Sequence, residues 1–348
     1  MTRRVTVRTQ SISLRLDMRV LGLLGALGVA TLLALTLSVG RGDFPIAPLE
    51  VLSTLTGAGD EATRFVVLEL RLPRALTAVL TGIALGIAGA IFQDLARNPL
   101  VSPDIIGISA GASFAAVSLI VLGDTSGVIS VPLAALGGAI AAGVALYLLA
   151  WRGGVQGYRL VLVGIGVAAL LHAGIDYVFT RGQIFQVAEA YVWLVGSLNA
   201  RGWEHVWPLA GALAVLLPLA LALGRQLEVL QLGDDVARAL GIGVERARLA
   251  LLAVAVVLTG IAVSAAGPIA FVAFIAPHIA RRICGTVSPS GVLPVAAATG
   301  ALLVLSADLI GRLAFAPNGV PVGIVTAIIA APYFLLLLRR ANLLGATG

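Results

Sequence analysis

The sequence contains no lysine. All 23 basic residues are arginine, against 17 acidic residues in 348, so the formal net charge is +6. The absence of lysine excludes a P-loop, whose lysine contacts nucleotide phosphates, and a lysine Schiff base to a carbonyl cofactor. A single cysteine, Cys284, excludes an intrachain disulfide framework, and three histidines offer no zinc-type spacing. We therefore interpret His278 and Cys284 as structural residues and expect no bound metal.

Charged residues are scarce as well. They make up 11% of the chain and hydrophobic residues 59%, whereas soluble domains carry about 25% charge. Apolar runs repeatedly reach about 20 residues, the length of a helix that crosses a bilayer. The arginines lie between these runs, where membrane topology explains them better than nucleic-acid binding. The composition predicts an all-α polytopic membrane protein with lipid around it and no nucleic-acid partner.

About ten transmembrane helices are predicted from hydropathy. They are 20–39, 66–92, 104–122, 128–150, 158–179, 206–224, 246–265, 268–283, 291–310 and 320–338. An even number of spans places both termini on the same side. No change in composition divides the chain, so we predict one transmembrane domain at 20–340 between a tail at 1–19 and a tail at 341–348.

The arginines also predict the orientation, because cytoplasmic loops carry the excess of basic residues. With the N-terminus inside, few arginines are outside. The outer set is Arg41, Arg64, Arg71, Arg74, Arg181, Arg201 and Arg312. A signal peptide is the alternative reading of the basic N-terminus, but the apolar run after it is long for one and lacks a clear cleavage site. Both termini are predicted to be cytoplasmic.

A polar segment, LQLGDDVARALGIGVERARLALL, interrupts the apolar chain at 230–252. Leu232, Val236 and Leu240 are spaced i, i+4 and i+8, which predicts an apolar stripe on a short helix at about 231–243. Acidic residues at its start suit the helix dipole, and Asp234 can pair with Arg238. Such a stripe outside the bilayer packs either on the chain's own loops or on another protein.

This segment resembles the coupling-helix loop of the FecCD/BtuC family of ABC importer permeases. Other blocks follow in the family's order. They are RLPRALTAVLTGIALGIAGAIFQDLARNPLVSPDIIGISAGA (71–112), VWLVGSLNARGW (192–203), GPIAFVAFIAPHIARRICG (267–285) and ADLIGR with PVGIVTAIIAAPYFLLLLRR (307–340). The chain is most similar to the ferric-enterobactin, or catecholate siderophore, type. The resemblance implies a BtuC-like type II ABC importer permease in the bacterial inner membrane.

The resemblance also implies partners and site residues. The partners are an ATPase subunit dimer that uses ATP, a second permease subunit (a heterodimer is favoured), a substrate-binding protein and a ferric siderophore; this chain itself is no enzyme and binds no cofactor. The residues that contact the ATPase would be Leu232, Asp234, Asp235, Val236, Arg238, Leu240 and Gly241. Those that dock the binding protein would be Arg71, Arg74 and Arg312, and those of a cytoplasmic gate Asn98, Pro99 and Leu100. His172 and Asp176 are possible pathway-lining residues.

Ordinary structural explanations stand beside these roles. The outer arginines can simply reach toward lipid headgroups, and asparagine and proline are common in loops. His172 with Asp176, and Asp308 with Arg312, are spaced i, i+4 and could be internal pairs.

Two other functions also stay open. A heme or cobalamin importer has the same fold. A proton-coupled secondary transporter would use ionisable residues inside the spans as a relay. The candidates for that relay are His172, Asp176, Glu69, Asp94 and Asp308.

Overall fold

The computed structural model describes residues 4–8, 13–42, 44–57, 59–123, 130–152, 154, 156–285 and 288–345, and these are almost entirely helical. The helices are α1 Met18–Gly40, α2 Pro48–Leu55, α3 Glu61–Arg64, α4 Leu72–Ala96, α5 Ile108–Leu122, α6 Ser130–Ala150, α7 Gly157–Phe179, α8 Ile184–Leu194, α9 Trp203–Gln231, α10 Asp234–Ala239, α11 Val244–Ala266, α12 Val272–Cys284, α13 Pro289–Leu313 and α14 Val322–Gly345. A π-helical segment, Phe65–Arg71, leads directly into α4. Within the predicted N-terminal tail, β1 (Arg4–Arg8) and β2 (Ser13–Asp17) form an antiparallel hairpin.

Each of the ten predicted spans falls on a helix. Among the described residues, seven helices are long and apolar enough to cross a membrane, namely α1, the continuous helix 61–96, α6, α7, α9, α11 and α13. The other three predicted spans fall on α5, α12 and α14. Predicted starts at 104 and 268 are too early, because turns precede α5 and α12. Helix α14 extends to Gly345, beyond the predicted span, while 1–3, 9–12 and 346–348 of the predicted tails lie outside the described residues.

Helix α4 forms the centre of the bundle, and glycine lets its neighbours approach closely. A Cβ at Gly82 would lie 2.2 Å from the carbonyl oxygen of Gly300, and one at Gly86 would lie 2.2 Å from that of Ala296. The backbones of α4 and α13 are therefore in direct contact, as small residues four apart permit in membrane helices. Gly82 and Gly86 therefore serve helix packing.

Three of the sequence blocks meet where the chain breaks between α11 and α12. The Ser197 N–H donates to the Ala266 carbonyl (2.8 Å), and the Gly323 N–H donates to the Gly196 carbonyl (3.2 Å). Gly196 has φ 74°, and a Cβ there would lie 2.3 Å from the Pro268 carbonyl oxygen. Helix α12 therefore begins inside the bundle. There, the loop after α8 and the start of α14 donate hydrogen bonds to backbone carbonyls that have no partner within a helix.

The bundle has two distinct ends. At one end, the Arg19 side chain donates to the Ile283 carbonyl (3.0 Å) of α12, and the Arg97 side chain donates to the Leu230 carbonyl (2.6 Å) of α9. Helix α10 follows α9 there, and we call this end the α10 end. At the opposite end, called the far end, the Arg312 side chain of α13 donates to the Ser38 carbonyl (3.1 Å) of α1. Helix α1 therefore starts at the α10 end and finishes at the far end.

Candidate functional site

Helix α10 presents an apolar stripe away from the protein. Leu232, Val236 and Leu240 are 63%, 45% and 60% exposed, whereas Ala237 on the opposite face is fully buried. Glycines with positive φ, Gly233 (110°) and Gly241 (81°), stand at either end of the helix, in a conformation that favours glycine. The predicted stripe is confirmed, but the helix is shorter than the predicted 231–243 because α9 continues to Gln231.

Ion pairs hold α10 against α4 and α11. Asp234 accepts from Arg248 of α11 at 2.6 Å and lies 3.5 Å from Arg97, the residue after α4. Arg238 pairs instead with Asp235 at 3.0 Å. The predicted Asp234–Arg238 pair is therefore wrong: Asp234 faces inward toward two arginines, and the i, i+3 partner is the one that remains at the surface. Two inward contacts fix the position of α10 while its apolar stripe stays uncovered.

The turn Asn98–Leu100 lies beside this anchor. The Asn98 side-chain oxygen accepts from the Leu100 N–H (3.0 Å), and the Asn98 N–H donates to the Gln93 carbonyl of α4 (3.0 Å). Pro99 is exposed. Leu100 is half-buried and packs on a cluster around Phe274. The predicted gate residues thus form a tight turn in contact with α4 and α12.

His172 and Asp176 both lie on an exposed face of α7. Within the described part of the chain, no ion pair or hydrogen bond joins them, so the predicted i, i+4 pair does not form. Ala169 and Ala173, each three residues before one of these two, are also exposed. A face that combines a histidine, a carboxylate and small residues is uncovered in this single chain.

The candidate docking arginines at the far end form salt bridges and hydrogen bonds within the chain. Asp308, 1% exposed, accepts from Arg74 at 2.7 Å and from Arg312 at 3.1 Å. Arg71 donates to the carbonyls of Val39 (2.8 Å) and Phe44 (2.7 Å). The predicted Asp308–Arg312 salt bridge is confirmed. The two arginine side chains around Asp308 are 19% and 17% exposed, so each presents only part of its guanidinium to the outside.

A buried polar cluster at the α10 end is not predicted by the sequence patterns. Arg281 of α12 pairs with Asp94 of α4 at 2.9 Å and also donates to the Gln93 side chain. The signals in the sequence are the position of Asp94 close to the end of a predicted span and the presence of both segments among the family-like blocks. Cys284 is buried and the His278 ring packs against Tyr333, in keeping with structural roles. Among the described residues, no three His, Cys, Asp or Glu side chains are grouped to hold a metal ion.

The chain is similar to proteins of a known family. The model of the FecCD transport family matches residues 30–340. Probable siderophore transport system permease protein YfhA of Bacillus subtilis (strain 168) is 42% identical over 318 residues, which cover 90% of this chain and 92% of that protein. Achromobactin transport system permease protein CbrC of Dickeya dadantii (strain 3937) is 43% identical, covering 91% of each. Ferric enterobactin transport system permease protein FepG of Escherichia coli (strain K12) is 42% identical, covering 84% and 88%.

A solved structure has the same fold. An inward-facing conformation of a metal-chelate type ABC transporter superposes with a TM-score of 0.80 at 25% identity, covering 92% of this chain and 99% of that chain. The BtuC-like architecture predicted from the sequence is therefore confirmed. With its apolar helices and its permease relatives, this chain is a multi-pass membrane protein and a permease. It belongs to the FecCD transport family.

Proposed function

We propose that the chain is the permease subunit of an ABC importer that carries a ferric siderophore across the bacterial inner membrane by ATP-driven alternating access. The observation that carries this function is helix α10, whose apolar stripe is exposed while Asp234 anchors it to the bundle. The names of several relatives point to iron chelates as substrates, including siderophores, enterobactin and achromobactin. A catecholate chelate is the substrate that the sequence resemblance favours.

The ATPase would be a separate subunit dimer that docks on α10. A chain without lysine cannot build the P-loop that contacts ATP phosphates. Val236 and Leu240 would enter an apolar cleft of the ATPase, while Asp235 and Arg238 would contact its rim. Asp234 forms ion pairs with Arg248 of α11 and Arg97 at the end of α4. A displacement of α10 would therefore also displace α4 and α11.

The substrate path would lie between this chain and a second permease subunit, with a related chain favoured over a second copy. The uncovered face of α7, with His172 and Asp176, would line that path, and the Asn98–Leu100 turn would close it on the cytoplasmic side. In this orientation the α10 end and both termini are cytoplasmic, as the arginine distribution predicts. Nucleotide-driven closure of the ATPase would then shift the population between inward-open and outward-open states.

A substrate-binding protein would dock at the far end on Arg71, Arg74 and Arg312. With Asp308 between Arg74 and Arg312, these groups carry a net positive charge that attracts acidic residues. Such surface charges act mainly on association rate. We expect the association rate of the loaded binding protein to fall about tenfold between about 50 mM and 500 mM salt, measured by biolayer interferometry. A rate that does not depend on salt would argue against docking by charge.

A proton-coupled transporter is the alternative of a different class. It would require side chains that are free to exchange protons. Of the candidates, Asp94 and Asp308 are each paired with arginine, whereas His172 and Asp176 are exposed on α7. The pairing argues against a relay through Asp94 or Asp308. A heme or cobalamin importer shares the fold and differs in substrate alone.

The deciding experiment measures uptake by the complete complex in liposomes. The chain is reconstituted with its candidate partner permease and ATPase, and loaded binding protein and radiolabelled ferric siderophore are supplied outside. We expect uptake with ATP inside and none with a proton gradient alone, and no uptake when the ATPase lacks its own P-loop lysine. Unlabelled heme and cobalamin should not compete. Uptake on a proton gradient without ATP would overturn the proposal and direct attention to His172 and Asp176.

A further inference from the structure

A buried polar cluster links the last turn of α4 to α12. Gln93 and Asp94 are 2% and 8% exposed. Arg281 donates to both, at 2.9 Å to the Asp94 carboxylate, and the Gln93 amide donates to the Phe274 carbonyl (3.1 Å). Buried ion pairs add little stability compared with apolar packing, and ionisable groups inside membrane proteins usually serve function. We therefore expect the cluster to have a function in addition to stabilising the contact between α4 and α12.

On one side the cluster adjoins the anchor of α10. Arg97 follows Asp94 by less than one helical turn and donates to the Leu230 carbonyl (2.6 Å) at the end of α9. The same guanidinium lies 3.5 Å from Asp234, the first residue of α10. Movement of α10 therefore acts on the same helical turn that holds Arg281.

On the other side the cluster adjoins the Asn98–Leu100 turn. The Gln93 carbonyl accepts the Asn98 N–H (3.0 Å). Phe274, whose carbonyl accepts from the Gln93 amide, belongs to the buried cluster with Ile275 and Ala330 against which Leu100 packs, and its ring lies edge-on to Phe334 at 5.2 Å between ring centroids. Gln93 thus contacts the turn through its backbone and the aromatic cluster through its side chain.

Helix α12 is a short helix with a residue of left-handed backbone conformation at each end. It begins after Phe271, whose φ is 66°, and ends at Gly285, whose φ is 59°. A Cβ at Gly89 would lie 1.7 Å from the Ala273 carbonyl oxygen, so α4 and α12 touch along their backbones. Helix α12 therefore has a break at each end and is tied to α4 by close contact and by Arg281.

We propose that Gln93, Asp94 and Arg281 are positioning residues that transmit movement of α10 to the gate turn. The proposal rests on the function proposed above. When the ATPase shifts α10, the Arg97 contacts displace the last turn of α4; Arg281 makes α12 follow, and Phe274 changes its packing against Leu100. Transmission through packed elements with two arrangements is an established form of coupling. The cluster thus determines whether ATP hydrolysis opens the gate.

The test separates transport from hydrolysis in the reconstituted complex. In Asp94→Asn, which keeps the shape of the side chain and removes the charge that holds Arg281, we expect ATPase activity stimulated by binding protein to stay within about twofold of wild type. Uptake per ATP hydrolysed should fall about tenfold. A merely structural role would lower hydrolysis and uptake together. The matched control is Glu189→Gln, which neutralises an exposed carboxylate of α8 and should leave the ratio unchanged.

A second readout follows the gate directly. In a Cys284→Ala background, Leu100→Cys is labelled with a thiol reagent, with and without ATP. The labelling rate should change with ATP in the wild-type cluster and stay constant in Asp94→Asn. Should Asp94→Asn fail to assemble, Gln93→Met keeps the Asp94–Arg281 pair and must show the same loss of coupling.

The outcomes distinguish this inference from the proposed function. Wild-type uptake without ATP would overturn both. Wild-type uptake that requires ATP, together with a normal uptake-to-hydrolysis ratio and normal labelling in Asp94→Asn, would overturn the coupling role of the cluster and leave the importer intact.

Discussion

Changing Val236 and Leu240 together to aspartate is expected to reduce ATP-dependent uptake to background and to release the ATPase subunits from the complex. Both side chains are about half exposed or more and make up the outer part of the apolar stripe. Burying a large aliphatic side chain stabilises an interface by about 1.5–3 kcal/mol. The double substitution removes two such contacts and places two unpaired carboxylates in an apolar cleft, a further cost of several kcal/mol. A loss of affinity of about 1,000-fold or more follows, since about 1.4 kcal/mol is a factor of ten.

The measurement is co-purification of the ATPase with the tagged permease, followed by uptake in liposomes. Neither side chain is buried in the permease, so the variant should fold and run as a monodisperse particle. Val236→Ile with Leu240→Met keeps the stripe apolar and serves as the matched control, with uptake close to wild type. Retention of the ATPase and of uptake in the aspartate variant would show that the ATPase docks elsewhere.

Helix α10 illustrates what the sequence alone can establish. Its signals are local: an acidic start, an apolar residue every fourth position and glycines after it. Local signals suffice to predict that the helix exists and which side chains form its stripe. They could not predict the partners of Asp234, because Arg248 lies 14 residues after it on the next helix and Arg97 lies 137 residues before it, and both reach it only through the packing of α10 against α11 and α4. Arg238, the neighbour that the sequence suggested, is the one that Asp234 does not contact.

The cluster around Arg281 could not be predicted from the sequence for the same reason. Asp94 and Arg281 are 187 residues apart, and each has an ordinary explanation within its own helix. Asp94 was noticed only as a possible proton relay, an idea that its ion pair disfavours. Tertiary pairing of charges becomes visible only once α4, α11 and α12 have been placed against one another.

Short elements were the other limit. Helices α2, α3 and α8 have 8, 4 and 11 residues, too few to stand out by hydropathy from the connections between spans. The long spans, in contrast, were predicted in the right order, because length and apolar content report directly on the hydrocarbon thickness. Their ends were less certain, and the early predicted starts of α5 and α12 fall where the chain turns inside the bundle.

Changing Asp308 to asparagine, which keeps the shape of the side chain and removes its charge, is expected to cause a large loss of stability. Asp308 is 1% exposed and accepts from Arg74 and Arg312 together. Asparagine keeps the shape but leaves two mostly buried guanidinium groups without a counter-charge. Removing one partner of a buried pair costs about 3–5 kcal/mol, and the partial exposure of both arginines favours the lower value of about 3 kcal/mol. The thermal midpoint in detergent should fall by roughly 5–10 °C.

A second substitution tests whether the charge is the cause. In Asp308→Asn combined with Arg312→Gln, only Arg74 remains unpaired, so about half of the lost midpoint should return even though another hydrogen-bonding side chain has been altered. The control Asp235→Asn removes an exposed carboxylate and should leave the midpoint unchanged, because exposed pairs contribute little. Fluorescence-detected size-exclusion chromatography after heating provides the measurement. A midpoint for Asp308→Asn equal to wild type would mean that water already screens both arginines. They would then be free, contrary to their contacts with Asp308 and Ser38, to change partners when a binding protein docks.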